Sequence, residues 1–267
     1  MSQNTVSAPR GEYALGADSD LGLQQLKYLE TLLDRHSVGI LESTGVGPGW
    51  RCLDIGPGTG SIAGWLSETA GSVTAADVNT QLVVERPGVR VLQHDINDGA
   101  PDGPYDLIHA RLVLMHLSRR KEILGSLAQS LSPGGWLVIG EYIGPQGRVL
   151  SSPSAEDAAL FDRVQQVAHH VVARGLGVSY EWARQVDGLM VQSGLTEVET
   201  VEHQPTAAGG SLGCLLSLNY VQQLTDHLVG AGFTVEELRR YAELMHDPRF
   251  RAWFYPFVST RGRRPAD

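Results

Sequence analysis

The chain has 267 residues, 42% of them hydrophobic and 19% charged, with a formal net charge of −9. That length and composition suit one domain with elaborations around a large packed core, and they exclude wholesale disorder. The acidity argues against a broad phosphate-binding surface, because nucleic-acid affinity comes largely from clustered Lys and Arg. The basic cluster near the end of the sequence, Arg261, Arg263 and Arg264, reads as a solvated terminus. Cys52 and Cys214 fit no zinc or redox spacing, so no metal is expected and reduced thiols in a cytoplasmic protein are. No basic-then-apolar leader opens the chain, and no apolar run approaches the roughly 18 residues that span a bilayer. Neither a membrane nor a nucleic acid is an expected partner.

In chain order, a helix is predicted over 21–41, with Leu23, Leu26, Leu29, Leu32 and Leu33 at helical spacing and a stop at Gly45, Gly47, Pro48 and Gly49. A strict α/β rhythm follows. Strands are predicted over 50–55, 72–77, 89–94, 105–110 and 136–142, with helices over 62–69 and 119–131. Strands alternating with helices imply a parallel sheet covered on both faces, because parallel neighbours need crossovers. The rhythm breaks after Gly144. One long helix is expected over 154–173, its stripe formed by Leu160, Phe161, Val164, Val167, Ala168, Val171 and Val172. Further helices are expected over 182–193, 215–228 and 235–244, and strands over 196–203 and 250–260.

The most informative stretch is Leu53-Asp54-Ile55-Gly56-Pro57-Gly58-Thr59-Gly60. Three glycines at alternate positions end a strand and enter a helix, where the turn demands backbone angles costly for other residues and a ligand approaches the main chain closely. Asp54 stands inside an otherwise apolar strand. A buried carboxylate needs partners, and the candidates are the loop's own amides or a ligand ammonium group. The dinucleotide fingerprint places its third glycine at the sixth position; here that position is Ser61, and the third glycine arrives one residue early at Gly60. Asp77, at the end of the second strand, is placed to accept both hydroxyls of a ribose. After the third strand, Asp95 can accept from an adenine amino group while Ile96 packs on the ring.

In order, these motifs resemble those of class I S-adenosylmethionine-dependent methyltransferases: Asp54-Ile55-Gly56-Pro57-Gly58-Thr59-Gly60, then Asp77, Asp95-Ile96, Tyr105-Asp106-Leu107-Ile108 and Ser132-Pro133-Gly134-Gly135-Trp136-Leu137-Val138-Ile139. The segment from His109 to Leu117 resembles the ubiquinone/menaquinone-biosynthesis-like branch and actinobacterial natural-product methyltransferases, as does the shorter Tyr13-Ala14-Leu15-Gly16. The resemblance implies a Rossmann-like, seven-stranded, mostly parallel α/β sheet whose last strand is antiparallel, with N-terminal helices and helical lid insertions. It divides the chain into a helical cap over 1–45 and a methyltransferase domain over 46–267, with lids at about 145–178 and 211–248. It also implies the cofactor, S-adenosyl-L-methionine. Gly56, Gly58 and Gly60 would line the methionine part with Asp54, Asp77 the ribose, Val78 and Ile96 the adenine faces, and Asp95 the adenine amino group. Tyr13 belongs to the same set, and Arg111 would reach the methionine carboxylate.

The expected reaction is in-line displacement at the sulfonium methyl by a small organic acceptor, for which alignment of the partners is the main requirement. A base is needed only for an acceptor that holds a proton, such as an alcohol or phenol. His116, Glu141 and Tyr142, near the carboxyl ends of strands four and five, are the candidates. The pair His169-His170 reads as solvated. Trp65, Trp136, Trp182, Trp253 and Phe254 read as core rather than an aromatic cage. A homodimer through the N-terminal helix is compatible with the sequence. Kept open beside methyl transfer are a non-catalytic cofactor-binding subunit, a non-methylating enzyme on the same fold, and an NAD-dependent oxidoreductase, which the glycine spacing disfavours. Nucleic-acid methylation is disfavoured by His109-Ala110-Arg111-Leu112 in place of Asn/Asp-Pro-Pro-aromatic.

Overall fold

The computed structural model describes residues 19–144, 148–254 and 256–266. The chain opens with α1 (Asp20–Glu42), whose first turn is closed by the Ser19 hydroxyl accepting from the Gly22 amide at 3.0 Å. Then come β1 (Arg51–Ile55), α2 (Ser61–Thr69), β2 (Ser72–Asp77), β3 (Val89–Gln93), β4 (Tyr105–Arg111), α3 (Arg120–Gln129) and β5 (Leu131–Tyr142). Beyond them lie β6 (Arg148–Ser151), α4 (Ala155–Val167), α5 (Ala183–Gln192), β7 (Thr196–His203), β8 (Thr206–Ala208), α6 (Leu212–Gln223), α7 (Thr225–Gly230), α8 (Val235–His246), β9 (Arg251–Trp253) and β10 (Phe257–Arg263).

The main sheet has seven strands in the order β3-β2-β1-β4-β5-β10-β7. Strands β1 to β5 are mutually parallel, and β10 runs antiparallel between β5 and β7. The order reverses beside β1, so the carboxyl ends of β1 and β4 flank the crevice where open α/β sheets bind ligands. Two apolar clusters cover the two faces of the sheet. Leu53, Ile108, Leu124 and Trp182 belong to one, and Cys52, Ile62, Leu66 and Leu107 to the other.

A third cluster holds the elaborations together. Phe161, Val164, Cys214, Tyr241, Leu244, Phe250 and Phe254 pack among α4, α6, α8 and the small sheet β6-β9-β8. Four expectations shift here. The strand over 250–260 is two strands in two sheets, parted before Phe257 at Pro256, whose nitrogen has no hydrogen to donate to a ladder. The helix over 154–173 is α4 followed by a widened π-helical segment, Ala168–Ala173. The helix over 215–228 breaks at Leu224, where the Thr225 hydroxyl takes the carbonyls of Val221 and Gln222. Strand β5 begins five residues early, because Leu131 pairs with Tyr105 ahead of a register shift.

Helix α1 lies over the crevice. Leu29 and Leu33 join the sheet core, and its polar side meets the glycine loop: the Thr59 hydroxyl donates to Glu30, and Ser61 donates to Asp34 at 3.2 Å. Asn219 and Gln223 of α6 bond Leu21 and Gln25, so α1 joins the crevice to the helical elaboration. Among the described residues, no helix is long and apolar enough to cross a membrane.

Candidate active site

Between β1 and α2, Gly56, Gly58 and Gly60 have φ of +63°, +62° and +91°, the left-handed region that residues with a Cβ enter only at a cost. Gly56 is constrained twice, because a Cβ there would stand 2.3 Å from Val113 Cγ2. Just before the loop, Asp54 is buried, and its Oδ1 lies 2.7 Å from His109 Nδ1 at the matching register position of β4. The expected loop-amide partners are therefore replaced, on this oxygen, by His109. Sequence reasoning missed His109; its only signal was a polar residue inside the apolar strand β4. Asp54 Oδ2 is buried with no hydrogen-bond partner among the described residues. An orphaned carboxylate oxygen beside a glycine loop fits a cationic ammonium group.

At the end of β2, Asp77 Oδ1 accepts from the Asn79 amide at 3.0 Å. Burial raises its pKa above the ordinary carboxylate range, against the amides of Asn79 and Val78 that lower it. Val78, 41% exposed, presents an uncovered apolar side chain next to it. Asp77 pairs with Gln93 across β2 and β3, which brings Asp95 to the same rim. Asp95 also has a local role: its Oδ1 accepts from the backbone and side-chain amides of Asn97 at 2.9 and 2.8 Å, capping a short 3-10 turn. Ile96 is buried in the core cluster rather than on the open rim. Tyr13 lies outside the described residues.

Arg111, at the end of β4, donates from Nη1 to Asp34 Oδ1 at 2.8 Å and to Ser37 Oγ at 3.2 Å, so α1 already holds this guanidinium. Glu141 is fully buried beneath the 114–116 turn, where its Oε1 accepts from the Met115 amide at 3.1 Å. Burial pushes its pKa up to about 8, opposed by the Met115 and Leu114 amides, the Trp182 indole and Arg120. It does not line the adjoining cavity, whereas Tyr142 and His116 do. Tyr142 stands edge-on to Phe257 at 5.7 Å. Burial first, and the Arg120 cation second, lower the His116 pKa to about 4.

That cavity is small, about 60 Å³, and its wall combines Leu112 and Met115 with residues of α4, the π segment and α6. Among the described residues, no Asp, Glu, Lys or Arg lines it. His169 does line it, which overturns half of the expected solvated pair: His169 is buried and His170 exposed. The available signal was spacing, since Phe161, Gln165, His169 and Val172 fall on one helical face. Trp136, Trp182 and Phe254 are buried as expected.

A sequence profile described as a methyltransferase domain matches residues 23–200. The chain belongs to this methyltransferase family. Its sheet order, the glycine loop with its orphaned carboxylate oxygen, and the Asp77–Val78 rim fit S-adenosylmethionine, the cofactor of the domain. Among curated proteins, the chain is 31% identical over 124 residues to a ubiquinone/menaquinone biosynthesis C-methyltransferase UbiE of Shewanella pealeana, covering 41% of this chain and 49% of that protein. It is 30% identical over 138 residues to the 27-O-demethylrifamycin SV methyltransferase of Amycolatopsis mediterranei, covering 47% and 48%. The chain thus spans about half the length of the curated relatives it matches. The fold also matches phosphoethanolamine N-methyltransferase 2 of Haemonchus contortus, solved with S-adenosyl-L-methionine, at a TM-score of 0.56 and 15% identity over 93% of this chain and 58% of that one.

Proposed function

We propose that this protein transfers the methyl group of S-adenosylmethionine to a small, predominantly apolar organic molecule, as a cytoplasmic enzyme of natural-product biosynthesis. The observation that carries the reading is the cavity: it adjoins the carboxyl ends of β4 and β5, is roofed by α4 and α6, and among the described residues has no carboxylate, ammonium or guanidinium in its wall. Such a wall favours a neutral acceptor, because burying an unpaired charge is costly. The two curated relatives, named for a quinone pathway and a rifamycin, support a small-molecule acceptor. On this reading residues 1–45 are a cap, and about 145–178 and 211–248 are lids on a domain over 46–267.

When bound, the cofactor supplies a methyl group already activated by the sulfonium charge. The chain's residues do the rest. The glycine loop and Asp54 Oδ2 hold the amino-acid end, Asp77 the ribose hydroxyls, and Val78 and Asp95 the adenine. Arg111 keeps α1 seated over the loop through Asp34. Tyr142, Met115 and Leu112 orient the acceptor, and the lids exclude water, so alignment supplies much of the acceleration. The test is mass spectrometry of protein incubated with S-adenosylmethionine and neutral phenols, quinols and macrolides, with oligonucleotides and amino acids as controls. Methylated product among the neutral compounds is expected. Turnover confined to oligonucleotides or charged amino acids would contradict the reading.

A further inference from the structure

Two polar side chains interrupt an apolar row on one face of the sheet. Across β2, β1, β4 and β5 the paired positions are Ala75, Asp54, His109 and Val138, and all four residues are buried. Two residues earlier on β1 and β4, Cys52 and Leu107 pack with Ile62 and Leu66 of α2. Sheet packing alone asks for apolar side chains here, because a buried carboxylate with its partner is commonly no more stabilising than apolar residues of similar volume. The strand ladder already holds β1 to β4, so the pair has another use.

The hydrogen bond divides the carboxylate into two unlike oxygens. An ionised carboxylate only accepts, so His109 donates from Nδ1 to Asp54 Oδ1 across 2.7 Å. That bond fixes the carboxylate plane and leaves Oδ2 as the buried oxygen with no partner among the described residues, two residues before Gly56. Burial leads the rise of the Asp77 pKa and the Asp54 charge adds to it, which puts the two acids on one crevice. A glycine loop ahead of a helix ordinarily favours a phosphate, through its amides and the helix dipole. A fixed, buried negative charge at the base of the loop opposes a phosphate and favours an ammonium group.

We propose that His109 is a positioning residue for the cofactor: by holding Oδ1 it aims Asp54 Oδ2 at the ammonium group of the methionine part, so that the loop selects an amino-acid-bearing nucleoside over a nucleotide. The inference rests on the S-adenosylmethionine reading above and gives His109 no contact of its own with the cofactor. Without the His109 donor both carboxylate oxygens are buried and unpartnered. The carboxylate then turns to the loop amides, and its hold on an ammonium group weakens. Asn at this position keeps an N–H close to the place of Nδ1, whereas Leu keeps only bulk.

The test compares two ligands by calorimetry. S-adenosylhomocysteine carries the ammonium group; its deamino analogue keeps the nucleoside, the sulfur and the carboxylate and lacks only that group. His109→Leu should weaken S-adenosylhomocysteine binding at least about tenfold, as loss of one charge-assisted contact allows, and leave the deamino analogue within about twofold. His109→Asn should recover most of the lost affinity. Parallel losses for both ligands would mark a merely structural role and overturn the proposal, as would unchanged S-adenosylhomocysteine binding in His109→Leu. A second readout uses the wild type, so it does not depend on how His109→Leu folds. In nitrogen-15 spectra of histidine-labelled protein, assigned with His109→Asn, the His109 Nδ1–H resonance should shift with S-adenosylhomocysteine and stay in place with the deamino analogue. An equal response to both ligands, or a response to neither, refutes the coupling through Asp54. Wild-type binding of S-adenosylhomocysteine without a selective loss in His109→Leu defeats this inference alone, whereas a wild type that binds neither ligand defeats the cofactor reading beneath it.

Discussion

Replacing Gly56 with alanine tests the loop at its tightest point. The substitution places a Cβ at φ +63° and 2.3 Å from Val113 Cγ2. The left-handed backbone costs about 1–2 kcal/mol for a residue with a Cβ, and forcing a methyl into packed space adds about 1–3 kcal/mol. A loss of roughly 2–5 kcal/mol corresponds to a melting point lower by about 5–15 °C for a domain of this size. The two contributions separate in a double-mutant cycle with Val113→Ala, which removes the obstructing methyl and leaves the backbone cost in place. Val113→Ala alone should cost about 1 kcal/mol as a partly buried truncation. The pair should then show a favourable coupling of about 1–3 kcal/mol, read by denaturant unfolding. S-adenosylmethionine affinity, measured by calorimetry, should fall in Gly56→Ala. A Gly56→Ala protein of wild-type stability, or a cycle with no coupling, would refute the geometry of this loop.

Other predictions concern protons and the cap. Glu141 has its pKa raised from near 4.5 to about 8, so its contribution to stability is full below pH 4.5 and is lost as pH rises to about 8. Glu141→Gln should flatten this alkaline decline in unfolding experiments between pH 5 and 9, and an unchanged slope would place the decline elsewhere. His116 and His169 are both lowered to about 4, so their neutral forms contribute stability that is full above pH 6.5 and lost as pH falls towards 4. His116→Phe should shallow that acid limb, visible as a smaller drop in melting temperature from pH 7 to pH 5. Asp34→Ala removes the ion pair to Arg111 and the bond from Ser61, leaving Arg111 only its bond to Ser37 on α1; it should increase backbone hydrogen exchange in α1 and the glycine loop while leaving β10 protected.

The sheet was legible because a buried parallel strand and its crossover helix leave an unambiguous pattern, and because the 56–60 glycines interrupt it at one place. The place of Asp77 at the end of β2 was legible from the same strand pattern, whereas Val78 was picked out by the family resemblance alone. The lids were harder. The small strands β6 and β8 have four and three residues, too short for an alternation to register, and Phe257 follows Pro256 into a different sheet from Trp253. Side-chain partners were the least visible. Asp54 and His109 stand 55 positions apart and meet only because β1 and β4 align in register. The hydrogen-bonded set Gln165, Ser217, Tyr241 and His169 draws on three helices that no local pattern connects. Glu141 shows the limit in reverse, since its place at the end of β5 suggested the acceptor, while the 114–116 turn folds over it.

The most direct measurement is calorimetric titration of S-adenosylmethionine, and separately NADH, into the wild type and Asp77→Ala. The structure predicts micromolar binding of S-adenosylmethionine to the wild type, at least about tenfold weaker binding to Asp77→Ala through loss of the ribose acceptor, and no NADH binding. A folded wild type that fails to bind S-adenosylmethionine, or binds NADH in its place, would contradict the account.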